Sequence, residues 1–439
     1  MSAALSLPGL AIEDWLAPFL PLERTLRARG PGWLQALRGK ALASLRGEGF
    51  PTRRSEQWKY TDLRPVVAAR FHPAEPAQPG DGDIRLAAAL AEQPVVIING
   101  RPSLPLPGPL DGRLIPLTEA WHQHSELAGV HLGRYASFDQ RPFVALNTAL
   151  FEDGLLVRIP AGSLLEAPVV IVHCAVPHGQ PIAVHSRTLV LAGRNSRAAI
   201  LEAWQGPDGQ PYLSTAVTEV VLEQGALLDY TRLEQEGSEA FHFSALDARL
   251  ERDSHLVSNS IALGGRLTRH EIGVVAADEG ACCSLNGLYV PVGSQHVDNY
   301  TVVDHARPQT TSSQLYKGIL DGRAEAVFQG RIIIRPQAQK SDAVQRNRNL
   351  LLSQAAVVNA KPQLEIQADD VRCAHGAAVG QVDQEALFYL RSRGLPIEQA
   401  RRLLTLAFAE EVLERLKHPL LAEHLRQRLR ERFGRGQEG

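Results

Sequence analysis

Five stretches of the chain read alike: GRNSRAAILEAW from Gly193, EQGALLDYTRL from Glu223, ERDSHLVSNSI from Glu251, DEGACCSLNGL from Asp278 and DGRAEAVFQGRI from Asp321. Each opens on a polar or glycine corner, passes a small residue and continues with apolar residues at alternate positions. Alternation of this kind marks a strand. The corners at Ser196, Gly225, Ser254 and Gly280 are separated by roughly 26 to 29 residues, the scale of a solenoid repeat. One coil cannot bury its apolar side alone, whereas stacked coils share a continuous, narrow interior. The chain is therefore expected to be mainly β, with residues 141–380 forming a parallel β-helix core. The wider gap before Gly322 predicts inserted residues or an extra short turn.

Toward the N-terminus the period becomes helical. Asp14, Trp15, Leu16, Phe19 and Leu20 form one apolar-faced segment, and Trp33, Leu34, Leu37, Ala41 and Leu45 form another at i, i+3 and i+4 spacing. RRSEQWKYTDL, from Arg53 to Leu63, sets Trp58 and Tyr60 beside opposite charges and reads as a strap docking both rings on the next domain. Residues 72–82 are rich in Pro, Ala and Gly and read as a linker or exposed loop; Pro-rich punctuation continues over 101–112. Between them, Pro94-Val95-Val96-Ile97-Ile98 is a compact strand. A helix over Thr118–Leu132 would carry His122, His124 and His131, which are more often solvated surface residues than metal ligands. Residues 1–140 thus form an N-terminal helical region with a linker.

Past Asp383 the period is helical again. Asp383 is placed to cap a helix running to Arg393, with Gly394 just beyond its end. Pro396 suits the first turn of a second helix, whose apolar stripe is Ala400, Leu403, Leu404, Ala407, Phe408 and Val412. Pro419 ends it. A third helix follows, with Leu421, Leu425, Leu429 and Phe433 on one face and arginines on the other. Residues 381–439 form a C-terminal helical domain.

The 439 residues suffice for about three domains by length. A formal net charge of −2 favours neither nucleic acid nor an anionic membrane as a partner. The 4 cysteines show no CxxC and no disulfide-scaffold spacing, which fits a reducing cytoplasm, and a vicinal pair such as Cys282–Cys283 seldom bridges itself. Glu13 and Asp14 inside the first apolar stretch argue against a secretory leader, and no apolar run approaches the roughly 20 residues of a membrane helix. A G-x-x-x-x-G-K-[ST] loop is missing, so any ATP dependence comes from another chain. Asp298, Asp304 and Asp321 would be the carboxylates of a carbohydrate-active β-helix enzyme, but they sit beside turn residues at spacings that suggest no shared groove. No catalytic activity is expected. No four Cys/His positions have the spacing of a structural zinc site.

Chemistry concentrates in DDVRCAHGAAVGQVDQEALFYLRSRG, from Asp369 to Gly394. Cys373 and His375 stand one residue apart, ahead of a Gly-rich turn and an abrupt switch into helix. A soft thiolate and an imidazole suit a transition metal or an iron–sulfur centre. On an extended strand both project to one side while Ala374 faces away. Two ligands cannot close a site, so the others would come from a chain paired against the free edge of the last coil. The bland alternative makes His375 a buried imidazole bonded to a neighbouring strand and Cys373 a small core hydrophobe, leaving a structural solenoid homodimer without metal chemistry. Cys282 and Cys283 alternate faces, so at least one is core; Cys174, after His173 in an apolar run, reads as packing.

ADDVRCAHGAAVGQVDQEALFYLRSRGLP, from Ala368, resembles the C-terminal signature of the SufB/SufD family of iron–sulfur cluster assembly proteins. VQRNRNLLLSQAAVVNAKPQLEI, from Val344 to Ile366, resembles the segment before it, and EQWKYTDL, from Glu56, the family's N-terminal aromatic motif. His375-Gly376 stands where the SufB paralogue tends to carry His-Glu, and Leu364-Glu365-Ile366-Gln367 lacks that paralogue's cysteine. Both departures lean to the SufD branch. The resemblance implies a right-handed parallel β-helix core with N-terminal and C-terminal α-helical regions. It implies a non-enzymatic scaffold subunit that pairs with a SufB-like paralogue and docks a SufC-like ATPase through the helices after Asp383. The nascent iron–sulfur cluster would be shared with the partner subunit, with His375 as the matching histidine and Cys373 a second participant. None is expected to stay tightly bound to the isolated chain, which would pair with itself as a homodimer. The family's link to reduced flavin attaches to no residue here.

Overall fold

The computed structural model describes residues 12–80, 82, 84–106 and 113–434. Residues 1–11, on which part of the leader argument rests, and the stretch 107–112 of the Pro-rich segment lie outside it.

The alternating stretches are strands, and they are dealt in turn to two sheets. The first contains Leu155–Ile159, Ile182–Ala192, Leu213–Leu222, Phe241–Leu250, Leu267–Ala276, His296–His305, Glu325–Ile334 and Val357–Ile366. The second contains Val169–Cys174, Arg197–Gln205, Leu227–Gln235, His255–Ala262, Cys282–Tyr289, Thr311–Leu320, Asp342–Leu351 and Arg372–Gly380. Successive neighbours in each sheet run parallel and in register, as Leu227 with His255 and His255 with Cys282. The result is a parallel β-solenoid of about eight turns with helices at both ends of the chain. The strand expected from Pro94 to Ile98 is present as Val95–Ile98, laid parallel to Ile171–Cys174. Inward side chains such as Val190, Ile200, Leu228, Ala248, Val274 and Leu285 form the continuous apolar interior.

Corners make the stacking possible. Asn195, Gly225, Asp253, Gly280 and Gln309 all have positive φ, a conformation that Gly, Asn and Asp adopt at low cost. Their N–H groups reach the next coil: Asn195 to the Gln224 carbonyl, Gly225 to Arg252 and Asp253 to Glu279. At Gly280 a side chain would also strike the Asp253 carboxylate. Gly322, expected to extend this series after an insertion, belongs instead to the opposite corner, where it lies against Gly293. The series continues through Gln309 with no insertion. A two-sheet coil has a polar corner before each of its strands, and the two kinds of corner read alike in sequence.

Both outer faces are clothed, so most strands are buried on two sides and alternation is softened. Trp15, Phe19, Phe50, Trp58 and Phe143 pack on Leu213, Phe241, Phe243 and Leu267 of the first sheet. Val412, Leu413, Leu421, Leu425 and Leu429 pack on Leu201, Leu233, Ile261, Leu288, Leu315 and Ile319 of the second. The strap docks with one ring, not two. Trp58 is buried with the Arg269 guanidinium 4.0 Å from its ring centre, while Tyr60 stays half-buried beside Lys59. The second anchor is Thr61, whose hydroxyl donates to Asp298 at 2.5 Å.

Three other expectations change. His72–Pro73 is no free loop but pairs with Ile182–Ala183. The helix expected over Thr118–Leu132 is two, Leu117–Gln123 and Ser125–His131, broken at His124. The second C-terminal helix, Ile397–Leu413, buries Ala400, Thr405, Ala409, Val412 and Leu413, whereas Leu403 and Ala407 of the expected stripe face outward. That helix is apolar on two sides, and only the sheet beneath it selects which is covered. No helix among the described residues is long and apolar enough to cross a membrane.

Candidate functional site

The last coil ends the solenoid with open edges. Among the described residues, Val357–Ile366 pairs with another strand only through Glu325–Ile334, and Arg372–Gly380 only through Asp342–Leu351. Their residues are mostly exposed or half-exposed, and Val357, Ile366 and Val379 show apolar surface there. Such an end is a template for another strand or chain.

Cys373 and His375 both sit on this end. In register, Cys373 lies beside Ala343, His375 beside Gln345 and Ala374 beside Val344. Ala343 and Gln345 are buried inward-facing residues, so Cys373 and His375 share the interior side of the strand and Ala374 takes the other. Cys373 is half-buried, packed with Leu364 and Val371 on the cluster of Ile332, Ile334, Ala338, Ala343 and Ala368. Burial, and then the nearby Asp342 charge, push its thiol pKa upward. His375 is exposed, and its ring has no hydrogen-bond partner among the described residues.

Beneath the open end the interior wall turns polar. Gln345 Nε2 donates to Gln314 Oε1 at 3.2 Å, which also accepts from Thr301 at 2.8 Å. Gly330 makes room for this: a Cβ there would lie 2.0 Å from Gln345 Nε2. Asn347 donates to the Tyr289 hydroxyl at 2.9 Å, and that hydroxyl donates to Asn349 at 2.5 Å. The sequence reading overlooked this wall. Its signal is the alternation of Gln345, Asn347 and Asn349 in VQRNRN, polar residues at positions where a strand faces inward.

The remaining candidates are not brought to this end. Cys283 shares the Cys373 column, but Ser312 and Ala343 intervene, a separation of about 14 Å at strand spacing. Burial raises the pKa of its thiol. Cys282 takes the opposite face, and Cys174 is buried in the apolar cluster on the outer face of the second sheet. His131 bonds the Tyr135 hydroxyl at 2.7 Å. No group of three metal-competent side chains occurs among the described residues. Asp298 is buried between Thr61 and Arg269, Asp304 pairs with Arg335 at 2.9 Å, and Asp321 caps the Gly322 amide at 2.8 Å.

The C-terminal helices form a second surface. Asp383 caps Gln384–Ser392 as expected, accepting from the Glu385 and Ala386 amides, and Gly394 follows with φ 92. Phe388 and Tyr389 are 74% and 57% exposed, and Ile397 and Leu403 add apolar surface on the neighbouring helix. Below, Lys317 clamps Ile397–Leu413 to the second sheet. Its ammonium donates to the Phe408 carbonyl at 2.9 Å, pairs with Glu411 at 2.5 Å and lies 4.2 Å from the Phe408 ring centre.

Residues 175–408 match the family described as SUF system FeS cluster assembly, SufBD core domain, and residues 13–75 and 110–171 match the SufBD protein N-terminal region. The chain is 32% identical to an iron–sulfur cluster assembly SufBD family protein of Synechocystis, over 88% of this chain and 87% of that one. It is 30% identical to the iron–sulfur cluster assembly protein SufD of Escherichia coli, over 90% and 92% of the two chains. It is 28% identical to the chloroplastic protein ABCI7 of Arabidopsis thaliana, over 90% and 85%. With its solenoid, its paired corners and its open end, the chain belongs to the SufBD family of iron–sulfur cluster assembly proteins, with the SufD protein of E. coli among its homologues.

Proposed function

We propose that this chain is a non-catalytic scaffold subunit that pairs with a SufB-like paralogue across its open end and holds part of a nascent iron–sulfur cluster through His375 and Cys373. The observation that carries this is the setting of His375: exposed, without a bonded partner, and on a strand with a free edge. An imidazole and a thiol leave two positions of a four-ligand centre to the partner. The raised thiol pKa means that Cys373 gives up its proton only when a cation or a partner's positive group approaches. A half-site of this kind holds its cargo loosely, as a scaffold that passes the cluster on requires.

The apolar surface at Phe388, Tyr389, Ile397 and Leu403 is assigned to a SufC-like ATPase, which supplies the nucleotide chemistry. Lys317 links that surface to the strand carrying Gln314, next to Gln345 and then His375 in register. The complex works in the cytoplasm, and the isolated chain pairs with itself through the same open end.

The test is His375→Ala in the chain co-expressed with its SufB-like and SufC-like partners. Iron and acid-labile sulfide in the purified complex should fall at least tenfold while the subunits still co-purify. Unchanged iron and sulfide would refute the assignment.

A further inference from the structure

Among the described residues three arginines are fully buried: Arg187, Arg232 and Arg269. Two are answered by carboxylates. Arg187 pairs with Glu219 at 2.6 Å, and Arg269 with Glu271 at 2.9 Å and with Asp298. Arg232 has no carboxylate within ion-pair distance among the described residues. Its Nη1 makes one long contact, 3.5 Å to the Ser260 hydroxyl, and its Nε and Nη2 have no partner. A buried charge without a counter-charge is among the costliest arrangements in a protein.

The carboxylates that share this interior are already engaged. Glu202 meets His173 at 2.8 Å and accepts from Thr188, Thr218 and Tyr230 at 2.7, 3.0 and 2.6 Å. Glu234 accepts from the Glu236 amide at 2.8 Å, and from the Gly264 amide and Thr268 hydroxyl at 3.4 Å. Glu236 accepts from Tyr212 at 2.6 Å and meets His242 at 3.0 Å. Burial raises Glu234 and lifts Glu236 to about 7, which weakens both as counter-charges.

The interior around Arg232 holds several unpartnered polar groups. Ser258 Oγ, His270 Nε2 and the Tyr316 hydroxyl are all buried without partners. Ser260, Gly287 and Tyr316 follow one another in register from Arg232, and a Cβ on Gly287 would lie 2.2 Å from the Tyr316 ring. Glycine thus lets that ring lean back toward Ser260. On the opposite sheet, His270 meets Ser244 through Nδ1 at 2.8 Å, and its Nε2 is buried without a partner. Burial, then the Arg232 charge, hold this imidazole neutral.

We propose that the solenoid interior at Arg232 binds one small monovalent inorganic anion of chloride's size, held by the guanidinium edge with Tyr316, His270 and Ser258. Water satisfies the hydroxyls and the imidazole but leaves the guanidinium charge uncancelled. A cation is excluded by the guanidinium charge. A bulky or doubly charged oxyanion demands more desolvation than this closed interior returns. The anion acts as a structural ion that fixes the middle coils, separate from the cargo site at the open end.

Crystals of the full chain grown in bromide test this by anomalous scattering. One peak is expected inside the solenoid, in contact with the Arg232 guanidinium and at least one of Tyr316, His270 and Ser258. No peak there, or a guanidinium turned onto Glu234, overturns the site. In solution, wild-type protein should melt higher in chloride than in gluconate at equal ionic strength, gaining about 1–3 °C per tenfold rise in chloride. Arg232→Met should lose that difference. Equal wild-type melting in the two salts means binding at crystal concentration only and also overturns the proposal. If Arg232→Met does not fold, the wild-type measurements decide by themselves.

Discussion

His375 and Gln345 are register partners on adjacent parallel strands, yet Gln345 is fully buried and His375 is exposed. Position along the solenoid axis makes the difference: Gln345 has a coil on each side, His375 a coil on one. The same inward column therefore changes from structural to available within one rung. His375→Ala should alter the free energy of unfolding by no more than about 0.5 kcal/mol, because the side chain is exposed. Gln345→Ala should cost about 2 kcal/mol, since it opens a void and strips a partner from Gln314. Urea denaturation of both variants measures the contrast. Similar losses would mean that the open end is covered in the isolated chain.

Arg269 ties the N-terminal strap to the first sheet. It pairs with Asp298 and Glu271, donates to the Gln57 carbonyl at 3.1 Å and lies over the Trp58 ring. Arg269→Met leaves two buried carboxylates without that partner and should cost about 3–5 kcal/mol. The strap should be released early, so trypsin should cut at Arg53, Arg54 or Lys59 before the solenoid is attacked. Cleavage of the variant at the wild-type rate would disprove this anchor.

The interior carboxylates give a stability profile with a definite sign. Burial lifts Glu236 from the ordinary 4.5 to about 7. The folded chain therefore holds this proton more tightly than the unfolded chain. The stabilisation is complete below about 4.5, is lost as pH rises toward 7 and stays lost above it. Glu236→Gln keeps an acceptor for Tyr212 but cannot ionise. Its stability relative to wild type should climb between pH 4.5 and 7, by up to about 3 kcal/mol, and then level off. His242, held down to about 3 mainly by burial, acts oppositely by costing stability as pH falls below 6.5. The difference between variant and wild type separates the two effects. A pH-independent difference would remove Glu236 from the account.

Phe388 and Tyr389 contribute little to the fold, because both are largely exposed. Alanine at both positions should leave the melting temperature within about 2 °C of wild type. Affinity for a SufC-like ATPase should drop at least tenfold, the effect of removing an aromatic anchor. Calorimetric titration with that ATPase is the measurement. Unweakened binding would move the docking surface elsewhere.

Local pattern carried much of this molecule. The corners at Gly225 and Gly280, the strand Val95–Ile98 and the Asp383 cap all follow from short-range rules of alternation, left-handed turns and capping, and the structure contains each of them. The side-by-side placement of Cys373 and His375 also follows from strand period alone. By contrast, Gly322 belongs to the other corner series, and the stripe on Ile397–Leu413 is only partly the expected one: Ala400 and Val412 are buried, Leu403 and Ala407 are not. Both choices depend on what stacks against a residue, and an isolated segment gives each alternative the same pattern.

The sequence by itself determined that these strands alternate, turn at polar corners and must stack to hide their apolar faces. It also put a thiol and an imidazole on one side of the closing strand. Only the tertiary structure decided that Thr61 would reach Asp298, that Arg232 would be buried with no ion pair among the described residues, and that His375 would emerge at the uncovered rung. Backbone preference acts between neighbours in the chain. Burial and charge compensation act between neighbours in space, and in a solenoid those are set one coil at a time by whatever lies above and below.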